Sequence, residues 1–112
     1  MATFPGGPVK QISATELKAM LASGEPLELV DVRTEDERAI ACIDGSRLLD
    51  REYGDYILAL DRDTTLVFQC HHGIRSQAAA DYFAGLGFER LFNLRGGIDA
   101  WSQLVDPLVP RY

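Results

Sequence analysis

Cysteine is scarce in this chain. Only Cys42 and Cys70 occur among 112 residues, and neither forms a CxxC pair. That spacing argues against a structural zinc site. No apolar run approaches the roughly 20 residues needed to span a bilayer. The stretch 1–8 lacks the basic head and apolar core of a signal peptide, so the two thiols are expected to stay reduced in a cytoplasmic setting. No cluster of Lys and Arg marks a face. Eleven basic against seventeen acidic residues give a net charge of −6, which disfavours a nucleic-acid or anionic-membrane partner. No internal repeat, low-complexity tract or linker divides the chain.

What is present suits one folded domain. Hydrophobic residues make up 46% and charged residues 25%, close to the average for a soluble globular protein. A chain of this length buries about two-thirds of its unfolded surface, enough for one core. The Pro/Gly-rich start reads as a flexible leader over 1–9, the domain as 10–104, and the remainder, 105–112 with Pro107 and Pro110, as an extended tail.

Between leader and tail, short apolar runs alternate with helical patterns. Ser13-Ala14-Thr15-Glu16 is a capping box and predicts a helix with Leu17, Met20 and Leu21 on one face, stopping near Gly24. Residues 27–32 read as a strand, followed by a second capping box, Thr34-Glu35-Asp36-Glu37. Residues 47–49 suggest a further short strand and 53–60 a helix. The clearest strand is 65–69, running into Cys70. Residues 76–86 show helical spacing with Ala79, Tyr82, Phe83 and Leu86 on one side, and Tyr82, Phe83 and Trp101 are expected in the core. A last strand at 91–94, a turn at Gly96-Gly97 and a helix over 98–104 complete the series. This alternation predicts an α/β domain, a mostly parallel sheet of about five strands with helices on both faces. Ligands of such sheets sit beyond the carboxyl ends of the strands. Two strands end there in unusual chemistry, Asp31-Val32-Arg33 and Cys70-His71-His72-Gly73-Ile74-Arg75-Ser76.

In the second segment a strand delivers a thiol, a short glycine-containing loop follows, and a helix begins. The helix start leaves backbone N–H groups without partners and carries partial positive charge. Wrapped around Cys70, those groups would stabilise a thiolate. Arg75 adds a permanent charge and planar donors suited to an oxyanion, and His71 and His72 add charge according to pH. The expected product is an anion-binding cup with a nucleophilic sulfur at its base. The competing reading, an inert buried cysteine, is the ordinary fate of this residue type. The coincidence of strand end, glycine, arginine and helix outweighs it here. A metal at Cys70-His71-His72 is not expected, because adjacent residues do not easily turn three side chains onto one ion. No cofactor is expected.

The Cys70–Ser76 loop, with four residues between Cys and Arg, resembles the active-site loop of the rhodanese-like domain family. Leu29-Val30-Asp31-Val32-Arg33 with Glu37, Ile43-Asp44-Gly45, and Leu94-Arg95-Gly96-Gly97-Ile98-Asp99-Ala100-Trp101 resemble three further family segments in the expected order. The resemblance spans about 10–104 and implies a sulfurtransferase. Cys70 would be the nucleophile, taking sulfur from an anionic donor such as thiosulfate, forming a persulfide, and passing the sulfur to cyanide or a thiol, small or on a protein. His71, His72, Gly73, Ile74, Arg75 and Ser76 would form the substrate cradle, Ser76 also capping the helix. Related phosphatases and arsenate reductases of this fold use a loop one residue longer, so the resemblance favours sulfur over phosphoryl chemistry. A sulfur-carrier or regulatory module is the non-catalytic alternative. Asp31 and Arg33 are expected to pair structurally or to order the cysteine loop. Ala41-Cys42 stands where the family usually has Gly-His, and Ser46 where it has alanine. Cys42 would resolve a disulfide or persulfide at Cys70 only if the fold brought the two together.

Overall fold

The computed structural model describes residues 7–112. Its elements run β1 (Val9–Ile12), α1 (Ala14–Ala22), β2 (Glu28–Asp31), α2 (Glu35–Ile40), β3 (Ser46–Leu48), α3 (Arg51–Leu58), β4 (Thr65–Gln69), α4 (Ile74–Gly85), β5 (Arg90–Leu94) and α5 (Gly97–Leu104). The five strands form one sheet in the order β1-β5-β4-β2-β3, and every neighbouring pair is parallel. The α/β class, the parallel pairing and the strand number are as expected. Among the described residues no helix is long and apolar enough to cross a membrane.

The sheet separates two cores because successive side chains of a strand point to opposite faces. Along β4, Val67 joins Leu17 of α1 and Ile98 and Trp101 of α5. Leu66 and Phe68 join Tyr53 and Ile57 of α3 and Ala80 and Phe83 of α4. All five residues of β4 are buried, as a central strand covered on both faces requires. Both capping boxes form: Ser13 with Glu16 opens α1 and Thr34 with Glu37 opens α2.

Three expectations need correction. α4 begins at Ile74, two residues before the predicted start, so Ser76 lies inside the first turn and Gly73 is the N-cap. Tyr82 is 61% exposed, whereas Phe83 and Trp101 are buried. The ring of Tyr82 lies edge-on to Phe83, at the margin of the buried stripe. Leu21 and Leu86 are likewise exposed.

The chain ends were read as a leader and a tail. Residues 1–6 of the expected leader lie outside the described residues, while Val9 pairs with Leu91 in β1. In the C-terminal segment Val109 is buried in the α1/α5 core, and its carbonyl accepts from the Ser102 hydroxyl.

The carboxyl ends of β2 and β4 are locked together. Asp31 is paired with Gln69, and the Val32 N–H donates to the Gln69 carbonyl at 2.8 Å. The Asp31 carboxylate accepts two bonds of 2.8 Å from Arg33 and one of 3.0 Å from Arg38. Both the Asp31 and Arg33 side chains are fully buried. The Arg33 guanidinium also donates to the Ala41 carbonyl at 2.7 Å, leaving little of its donor capacity unmet. This is the structural pair expected at the end of β2. Asp31→Asn would leave a buried guanidinium without its counter-charge. Urea unfolding of that variant should show a loss of about 3–5 kcal/mol; a loss below about 1 kcal/mol would contradict this account of the strand end.

Candidate active site

The site forms where β4 hands over to α4. Gly73, at φ 101°, is the N-cap and supplies no side chain to the orphan N–H groups of the helix. The Cys70 sulfur takes that place. It accepts from the Gly73 N–H at 3.1 Å and from the Ser76 N–H at 3.4 Å, and lies 3.3 Å from the Ser76 hydroxyl. Cys70 is 1% exposed, and burial pushes its thiol up. Bonds from the Ser76 hydroxyl and from the N–H groups of Ser76, Gly73 and His72 outweigh burial, and the net shift is downward. The sulfur is therefore buried as a hydrogen-bonded acceptor rather than as an apolar filler.

The hydroxyl of Ser76 has one proton and two claimants. It donates to Asn93 Oδ1 at 2.6 Å, so toward a neutral thiol it acts as acceptor, and toward a thiolate its proton must turn to sulfur. Asn93 on β5 also donates to the Gly73 carbonyl at 3.1 Å and to Gln11 Oε1 on β1 at 2.9 Å, anchoring the loop to the sheet.

The loop is held from outside as well. The N–H of Ile98 donates to the Cys70 carbonyl at 2.9 Å and that of Asp99 to the His71 carbonyl at 3.2 Å. With those carbonyls turned toward α5, the loop's own amides face the sulfur. The approach requires glycine at position 97, whose added Cβ would lie 2.4 Å from both carbonyl oxygens.

The remaining loop residues divide by role. Ile74 is 81% exposed and turns to solvent. His72 is exposed and stacks on His71 at 4.0 Å. His71 is half-buried, sandwiched between His72 and Tyr112, whose ring lies 4.0 Å away and 7° from parallel. Arg75 does not stand free over the sulfur. Its guanidinium grips Glu37 with two bonds of 2.6 and 2.9 Å, and that contact holds the Glu37 carboxyl far below the usual carboxylate range against the upward push of burial. Glu37 also accepts from the Thr34 N–H at 3.3 Å and the Tyr112 hydroxyl at 2.7 Å. Cys42 is exposed, and both cysteines are free.

Donor atoms of His71, His72 and Asp99 lie within 4.8 Å of one another. The two imidazoles are stacked with 26° between their planes, so their in-plane lone pairs lie in two separate layers. Asp99 is engaged by Arg111 at 2.9 Å and by Gln103 at 2.9 Å. A metal here would compete with Arg111 and Gln103 for the Asp99 carboxylate.

Sequence reasoning assembled Cys70 to Ser76 in one loop but missed the parts that support it from a distance. The Glu37–Arg75 clamp had a partial signal, since Glu37 already stood out as the capping-box glutamate and as part of the Asp-Val-Arg segment. Asn93 and Tyr112 carried none, because each acts across the fold rather than along the chain.

The chain is similar to known proteins over most of its length. A family model described as rhodanese-like domain matches residues 13–104. The thiosulfate sulfurtransferase GlpE of Ectopseudomonas mendocina is 38% identical over 93 residues, covering 82% of this chain and 84% of its own length. A probable adenylyltransferase/sulfurtransferase, MoeZ of Mycobacterium tuberculosis, is 36% identical over 104 residues, covering 90% of this chain but 26% of that longer protein. Among solved structures, a rhodanese-like domain protein from Staphylococcus aureus superposes with a TM-score of 0.73 at 28% identity, covering 93% of this chain and 99% of its own.

Removing one donor tests the assignment of the sulfur as an acceptor. In Ser76→Ala the thiolate loses a hydroxyl while keeping both backbone amides. The pH midpoint for iodoacetamide alkylation of Cys70 should move upward. The rate at pH 7 should fall by about three- to tenfold, the equivalent of one hydrogen bond. An unchanged midpoint would show that the hydroxyl serves only Asn93.

Proposed function

We propose, because this chain belongs to the rhodanese-like domain family, that it is a sulfurtransferase working through a persulfide on Cys70. The observation that carries this reading is the sulfur at 3.1 and 3.4 Å from two amides of a helix start that has no other cap. The Cys70 thiolate attacks the outer sulfur of thiosulfate. A Cys70 S–S bond forms, the donor's S–S bond breaks, and sulfite leaves with the bonding electrons. The transferred sulfur keeps the negative charge it carried in thiosulfate and becomes the outer sulfur of the persulfide, while the thiolate's charge leaves on sulfite. A thiophile then takes that sulfur: cyanide leaves as thiocyanate and regenerates the Cys70 thiolate, closing a two-step covalent cycle.

Both reactants of the first step are anions, so repulsion is the obstacle the site must offset. The amides of Gly73 and Ser76 hold the negative sulfur before and after transfer, as an oxyanion hole holds a developing charge. Arg75 sits at the mouth, where a sulfonate-like group would meet its planar donors once Glu37 yields them. The acceptor is a small thiophile or a thiol on a partner protein. Two free cysteines suit a reducing, cytoplasmic compartment. The four residues between Cys70 and Arg75 make a shorter cup than the phosphatases of this fold use, which supports sulfur over phosphoryl transfer.

Intact mass measurement after thiosulfate treatment should show a gain of one sulfur, about 32 Da, in the natural protein and in Cys42→Ala but not in Cys70→Ala, since only the thiolate in the amide cradle should react. A gain in Cys70→Ala would overturn the assignment, and turnover of a phosphate ester or arsenate instead would move it to the related enzymes of this fold. Arg75→Ala should slow sulfite release at least tenfold, on the order of one charge-assisted contact; near-normal release would remove Arg75 from donor binding.

A further inference from the structure

The C-terminal residues Arg111 and Tyr112 have no part in the sulfur-transfer scheme, yet they reach the mouth of the site. Arg111 is tied to Asp99 at the start of α5. Tyr112 lays its ring on His71 of the catalytic loop. Its hydroxyl accepts from Arg33 at 3.0 Å and donates to Glu37 at 2.7 Å. The result is a chain of alternating charge and hydrogen bond, from Asp31 to Arg33 to Tyr112 to Glu37 to Arg75.

The end of that chain bears on donor binding. Both terminal nitrogens of Arg75 are committed to Glu37, so an anionic donor meets a neutralised pair and must draw Arg75 away from the carboxylate. How hard that is depends on how firmly Glu37 is held. Thr34 holds it from within α2, through the capping box. Tyr112 holds it from across the fold, with a hydroxyl fixed in direction by Arg33. We infer that Tyr112 is a specificity-determining positioning residue, which pins Glu37 onto Arg75 and thereby turns the site against donors of high negative charge. This rests on the sulfurtransferase reading for its substrate but on geometry alone for its effect on local charge.

Two donors and two alkylating agents separate these claims. Tyr112→Phe deletes the hydroxyl and keeps the ring on His71, and Glu37→Gln removes the charge while preserving a side chain able to close the capping box. With thiosulfate, a dianion, Tyr112→Phe should lower KM by about three- to tenfold with kcat little changed, the scale of one ordinary hydrogen bond. With methanethiosulfonate, a monoanion, KM should change less than about twofold. Glu37→Gln should move both values in the same direction and further. A purely structural role for Tyr112 would shift both donors alike, and that result, or an unchanged thiosulfate KM, would overturn the inference.

The alkylation arm needs no turnover. In a Cys42→Ser background, the ratio of Cys70 alkylation by iodoacetate, an anion, to that by neutral iodoacetamide should rise in Tyr112→Phe and rise further in Glu37→Gln; a flat ratio overturns the inference. If neither donor loads sulfur onto the natural protein, the sulfurtransferase reading falls, while the alkylation ratio still decides whether Tyr112 sets the charge at the mouth.

Discussion

The structure turns on one substitution of roles: a cysteine sulfur stands where a helix would ordinarily place the oxygen of a capping side chain. Ser13, Thr34 and Asp50 cap α1, α2 and α3 through their side chains, whereas α4 begins at a glycine that offers none. The N–H groups left over at a helix start are strong donors that burial makes costly to ignore. Supplying Cys70 as their acceptor satisfies the helix and lowers the pKa of the thiol in the same contact. Stability and reactivity are coupled at this point, because any change that draws the sulfur away also leaves buried amides unmet.

That contact works only if the loop amides face inward, and the loop cannot ensure this alone. Its carbonyls must find partners elsewhere, and α5 provides them through Ile98 and Asp99. The close approach excludes a side chain at position 97, so the Gly-Gly pair belongs to the site although it lies far along the chain from Cys70. Asn93 completes the fixation from β5 by binding the Gly73 carbonyl and the Ser76 hydroxyl. Strand β4, buried along its whole length, delivers the thiol to the sheet edge. Its neighbours supply the groups that orient the loop once it leaves the sheet.

Features written in short stretches of sequence were legible and long-range ones were not. β4 is a compact strand-forming run, Thr65-Leu66-Val67-Phe68-Gln69, with an apolar centre, and its observed limits match the predicted ones. Both capping boxes are local patterns and both form. β1 gave no comparable signal, since Lys10 and Gln11 are exposed and Ile12 is its one buried residue. It is an edge strand defined by its partner β5 rather than by its own periodicity. Tyr82 was misplaced because spacing alone does not fix where a buried stripe ends: a step of one residue along α4 takes the chain from Tyr82 to the core residue Phe83. The C-terminal segment read as a tail from its two prolines, but one apolar residue, Val109, and one ring, Tyr112, decide where it lies. Neither has a local pattern.

Loop length alone does not settle what such a site prefers. A cup of four residues admits a sulfur atom, but the pull it exerts on an incoming anion depends on how much of the positive charge at its mouth is already engaged. Here the Arg75 side chain is 46% exposed yet its guanidinium is held at two points. An exposed ion pair of this kind contributes at most about 1 kcal/mol to stability, so the fold does not depend on it. Its consequence is electrostatic instead, because a charge already paired attracts a distant anion far less than a free one. The amides around the sulfur are unaffected by that pairing. The two features of the site are thus separable, with the helix start lowering the pKa of the thiol and the rim setting how much of the Arg75 charge is already paired.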